Sequence, residues 1–143
     1  MRWLNTIWRW LLAVIVTTIT ACVVHSWTIQ QGLIALGIDI PFGLRLRTAF
    51  NDFIGLAPAL GAILAIALAI GFLIAAFLGP RLKVPAIIAY PLAGAVATGV
   101  TLWIMALQMH ITPIASAREP LGFALLCMAG ALGGLVFVLA RRR

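Results

Sequence analysis

Apolar residues in this chain gather into four long runs, at about 7–27, 58–78, 84–109 and 120–140, with charged residues collected around their ends. Each run supplies the roughly 20 residues that an α-helix needs to cross a hydrocarbon core about 30 Å thick. The apolar positions show neither the two-residue alternation of half-buried strands nor a single narrow helical stripe. They surround the helix on all sides, as lipid-facing helices do. The predicted fold is therefore all-α: an integral membrane four-helix bundle, a single domain over residues 1–143, with an amphipathic helical segment in the connection between the first and second spans.

Punctuation residues support these limits. Pro58 opens the second run at a position where a missing backbone donor costs nothing, and Gly79-Pro80 closes it. Pro91 is expected to kink the third run one to two turns in. Pro120 opens the fourth, with Ser116 or Glu119 available as a cap, and Arg141, Arg142 and Arg143 end it. In the long connection, residues 28–57, the stretch from Gly43 to Ile54 reads as an amphipathic helix. Leu46, Phe50, Phe53 and Ile54 form its apolar stripe, and Arg45, Arg47, Thr48, Asn51 and Asp52 its polar side. Such a helix is expected to lie in the membrane interface.

Composition agrees with this reading. Of 143 residues, 64% are hydrophobic and 9% charged, and the mean hydropathy is +1.18, values that leave no wetted surface for a soluble domain. The net charge of +7 does not indicate nucleic acid, because the basic residues flank apolar runs, where they set orientation. Arg2, Arg9, Arg81, Lys83 and the arginine triplet fall on one side, against Arg45, Arg47 and Arg118 on the other. The rule that basic loops stay inside then puts both termini in the cytoplasm of a bacterial inner membrane and faces the 28–57 and 111–119 connections outward, to the periplasm. Trp3, Trp8, Trp10 and Trp27 are expected as interfacial anchors, leaving Trp103 well along a helix. Cys22 and Cys127 lie within apolar runs and read as small packing residues. Ile19-Thr20-Ala21-Cys22 resembles a lipoprotein processing box, but Val23-Val24 continue apolar beyond it.

Small residues recur at helical spacing: Ala57, Gly61, Ala65 and Ala69; Ala89, Ala93 and Ala97; Gly130 and Gly134, beside Gly133. Lipid favours helix contacts at such positions, and we expect these ladders to be used within the bundle. Acidic residues are missing from the runs, which speaks against ion-coupled transport. The threonines there are expected to bond to their own helix backbone. Tyr90-Pro91 leaves a minor reading in which an opened carbonyl lines a pore or passive carrier.

Chemistry is left to the outward side, where Arg45, Arg47, Asp52, His110, Arg118 and Glu119 are the candidate lipid- or partner-binding residues. His25 and His110 sit near the outer ends of their runs and belong to no spaced motif. As interfacial histidines they are expected to meet water, so no metal or haem site and no cofactor is implied. The polar inventory lacks a nucleophile elbow, a metal signature and a phosphate loop. The expected role is an accessory or lipid-associated membrane protein, with membrane lipids as partners and, at the outward face, another membrane or periplasmic protein or a second copy of the chain. A lipid-headgroup-modifying enzyme is the alternative, and a small channel or carrier ranks third.

Overall fold

The computed structural model describes residues 2–37, 39, 41–109 and 120–141, and places nearly all of them in four helices: α1, Arg2–Ala35; α2, Phe42–Arg81; α3, Ala86–Met109; and α4, Pro120–Arg141. All four are long and apolar enough to cross a membrane. Their large side chains point outward along much of their length, among them Ile15, Ile66, Leu73, Val96 and Leu132. That belt has no place in water, and it makes the chain a multi-pass membrane protein.

Two core layers define the topology. One joins Ala21, Cys22, Leu60, Leu64, Leu102, Leu126 and Ala129; the other joins Ala13, Leu68, Phe72, Ala75, Tyr90, Phe137 and Val138. Residue numbers rise from the second layer to the first along α1 and α3, and fall along α2 and α4. The helices therefore run up, down, up and down. The start of α1, the turn at 82–85 and the end of α4 share one end of the bundle. Neighbours pack in a closed ring, α1 to α2 to α3 to α4 to α1, with the α2–α4 diagonal only lightly touched.

Glycines set the ring's spacing. The Cβ position on Gly94 of α3 falls on the carbonyl oxygen of Gly130 in α4, and that on Gly130 falls on the carbonyl oxygen of Gly94. Each Cα–H thus points at the other's carbonyl, a weak hydrogen bond worth about 0.5–1 kcal/mol. One turn on, Gly134 lies against the Tyr90 carbonyl and the Pro91 Cα. α4 thus packs closely over the Tyr90-Pro91 peptide. On the other flank of α4, Gly133 abuts the Thr17 hydroxyl and the Ala13 carbonyl of α1. Gly71 of α2 would bring a Cβ within 2.9 Å of that of Ala97 on α3, whereas Gly61 would meet Thr18 at an ordinary 3.4 Å.

Four of the span threonines behave as expected, each donating to the carbonyl four residues back, whereas the buried Thr18 hydroxyl has no partner among the described residues. Thr17 bonds Ala13 at 2.8 Å, Thr20 bonds Val16 at 2.8 Å, Thr98 bonds Gly94 at 2.9 Å and Thr101 bonds Ala97 at 2.7 Å. These hydroxyls are satisfied inside their own helices and need no water in an apolar slab.

Two boundaries differ from the sequence reading. The amphipathic stretch is not a separate helix: α2 runs unbroken from Phe42 through Pro58 to Arg81. One lost donor at Pro58 costs less than fraying a whole turn where lipid offers no hydrogen bonds. Pro80 likewise lies inside the last turn of α2, and the chain reverses three residues later, at Lys83, with φ of 54°. There the Val84 amide donates to the Gly79 carbonyl at 3.1 Å, and Arg81 lies over the Phe77 ring, 3.8 Å from its centroid.

Alanine at these glycines gives graded outcomes. Gly94→Ala or Gly130→Ala forces backbones apart and should cost about 3 kcal/mol or more. Gly61→Ala should stay within about 1 kcal/mol. Gly32→Ala, with nothing within 4 Å, should gain up to about 1 kcal/mol of helix propensity. Thermal unfolding in detergent, followed by circular dichroism, gives the order.

Candidate functional site

The outward polar face predicted from sequence is only partly within the described residues. His110, Arg118 and Glu119 lie outside them, and Asp52 is placed by its backbone in α2. Arg45 and Arg47 can be located, and they do not point the same way. Arg45 is partly buried with Ala49 and Leu56 on the side of α2 that faces α1, while Arg47 is exposed. Residues 45, 49 and 56 repeat at helical spacing, so this flank, polar at its start, is the one turned inward.

Turning that flank inward directs the apolar stripe outward. Phe42 is 79% exposed, Leu46 65%, Phe50 64% and Ile54 59%. Arg47 sits on the border of this stripe, 200° around the helix from Arg45 by helical geometry. Hydrogen bonding fixes the hairpin: Gln30 Nε2 of α1 donates to the Arg45 carbonyl at 3.2 Å. Farther along, Thr18 of α1 lies beside Gly61 of α2. The two helices therefore keep company well past the core layer at Cys22 and Leu60.

Length makes this overhang considerable. At 1.5 Å per residue α2 measures about 60 Å and α1 about 51 Å, against about 36 Å and 33 Å for α3 and α4. A hydrocarbon core of about 30 Å holds roughly half of α2. The remainder, with the last turns of α1, makes a helical hairpin.

His25 corrects another expectation. It is 6% exposed, with neighbouring Ser26 at 5%, and both have interaction partners. The imidazole is directed into the bundle one turn above the outer core layer, and does not face water. Among the described residues, no group of three or more His, Cys, Asp or Glu side chains could hold a metal ion. Cys22 is buried in the core layer that includes Leu60, Leu64 and Leu126. Cys127 is partly buried, and neither cysteine is in a disulfide.

Trp10, expected as an interfacial anchor, is instead turned against the second core layer. Its Nε1 is buried without a hydrogen-bond partner among the described residues. Close by, Phe72, Tyr90 and Phe137 form a three-ring cluster with centroids 4.7 to 5.6 Å apart. Trp3, Trp10, Phe72, Tyr90 and Phe137 line an open apolar cleft of about 410 Å³ between α1 and α2. A second cleft of about 730 Å³ lies between α1 and α4 and carries Arg9. No spacing motif marks either cleft in the sequence; both arise where aromatic or basic residues near the start of α1 meet another helix.

Comparison with protein families, with curated proteins and with solved structures finds no match to this chain.

The facing of the α2 stripe is open to measurement. A nitroxide at Phe50→Cys should be mobile and readily relaxed by oxygen, while one at Ala49→Cys, one residue back and turned toward α1, should be strongly immobilised. Equal mobility would reverse the assignment of faces.

Proposed function

We propose that this chain is a small multi-pass protein of the bacterial inner membrane, its termini cytoplasmic, that acts without catalysis as an accessory or lipid-associated subunit. Its working surface in this reading is the outward end of the bundle, with Arg45, Arg47, Asp52, His110, Arg118 and Glu119 as the binding residues. Orientation rests on the basic residues around the start of α1, the 82–85 turn and the end of α4.

One observation carries the proposal. The α1–α2 hairpin extends well past the outer core layer, and its α2 flank shows an uncovered apolar stripe, Leu46, Phe50 and Ile54, bordered by the exposed Arg47. Water is a poor environment for that stripe. A headgroup region satisfies both parts, with carbon against acyl chains and glycerol, and guanidinium against phosphate oxygens. The apolar face of a periplasmic partner satisfies the stripe equally well, and the accessory role includes both. A pore is disfavoured by the interior, where Thr17, Leu64, Leu68, Thr98 and Leu126 are fully buried across the bundle axis.

Replacing Arg45, Arg47 and Arg118 together by glutamine should at least halve the anionic lipid or partner retained per protein through gentle solubilisation, read by native mass spectrometry, while helix content stays constant. Unchanged retention of every lipid and partner would remove the proposal.

A further inference from the structure

Arg9 lies one to two turns into α1 and is partly buried. No hydrogen bond or ion pair joins it to another of the described residues. A guanidinium taken partly out of water without an anion is costly, and at the edge of an apolar bundle its stable partners are phosphate or carboxylate oxygens. Arg9 faces the 730 Å³ cleft between α1 and α4 together with Asn5, Trp8 and Leu12 of its own helix and Val136 and Leu139 of α4.

The lining has two zones. Asn5, Trp8 and Arg9 stand at i, i+3 and i+4, so an amide, an indole N–H and a guanidinium share one helix face. Leu12 and Val136 continue the cleft toward the bundle centre, and Leu139 adds to this apolar wall on α4. The seven lining residues, Ala140 of α4 among them, include no carboxylate. Free phosphate would use the first zone and leave the second unfilled. An amphiphile with an anionic head uses both, and the volume falls in the range of small-molecule sites.

We propose that this cleft binds a phospholipid of net negative charge, its phosphodiester held by Arg9 with Asn5 and Trp8 and an acyl chain laid along Leu12, Val136 and Leu139. A net negative headgroup suits the site because Arg9 is its charged lining residue and no lining carboxylate would pair with the ammonium of a zwitterionic lipid. The site lies at the opposite end from the Arg47 surface, and the function proposed above can fail without affecting it.

The test is a native mass spectrometry titration of delipidated protein with dioleoylphosphatidylglycerol and, separately, dioleoylphosphatidylcholine. Wild type should hold one phosphatidylglycerol in clear preference to phosphatidylcholine. Arg9→Gln should weaken phosphatidylglycerol about tenfold, the loss of one charge-assisted contact. Val136→Phe, which narrows the cleft and keeps the arginine, should weaken it too, whereas Lys83→Gln, equal in charge change but outside the cleft, should stay within about twofold of wild type. Three results overturn the proposal: Arg9→Gln binding like wild type, Lys83→Gln losing as much as Arg9→Gln, or millimolar inorganic phosphate displacing the lipid. Should Arg9→Gln lose its helical circular dichroism, Val136→Phe decides alone, and retained affinity then overturns the site.

Discussion

Helices in a membrane gain little by hiding apolar surface from each other, because lipid is as apolar as leucine; they associate where backbones can come close. In this chain the closest approaches are made by α4. Gly130 and Gly134 accept α3 on one side, and Gly133 accepts α1 on the other. A side chain at any of these glycines would collide with a backbone carbonyl or a threonine hydroxyl of the neighbour. Two glycine faces on one short helix make α4 the element around which the ring closes, while α2 joins from outside through Gly61 and Gly71.

That packing also decides where chemistry can reside. Interior positions are taken by small residues, leucines and threonines, of which Thr17 and Thr98 return their hydroxyls to their own backbones. Polar groups able to bind something are displaced to the two ends: a helical hairpin bearing Arg45 and Arg47 at one, and the Arg9 cleft at the other. His25 and Ser26 mark the limit of this separation, since they are buried just above the outer core layer.

Much of this was legible in the sequence. Four apolar runs of spanning length, the back-bonded threonines and the Gly130/Gly134 pair follow from period and composition. Gly94 and Gly71 did not stand out, because single glycines among alanines carry no spacing signal and only the partner helix reveals their use. Pro58 misled as a boundary: a proline that opens a helix in water is carried inside one in lipid, where breaking backbone bonds costs more. The amphipathic stretch was found with its apolar stripe, yet not its continuity with the second span, because hydrophobic periodicity tells which residues share a side and not where the helix ends. Arg9 read as an orientation charge; only the approach of α4 turns it into a cleft residue. Of the predicted site, Arg45 and Arg47 are placed on different flanks of α2, while His110, Arg118 and Glu119 lie outside the described residues.

The closed ring requires α4 to be in backbone contact with both flanking helices, and through-space carbon correlations in lipid nanodiscs measure that directly. With glycine and threonine labelled at carbon, solid-state NMR should give strong cross-peaks between Gly94 and Gly130 Cα and between Gly133 Cα and the Thr17 side chain. Both pairs present at short mixing times is the predicted result. Either pair missing while sequential correlations along α4 are intact would contradict the ring, and with it the cleft between α1 and α4.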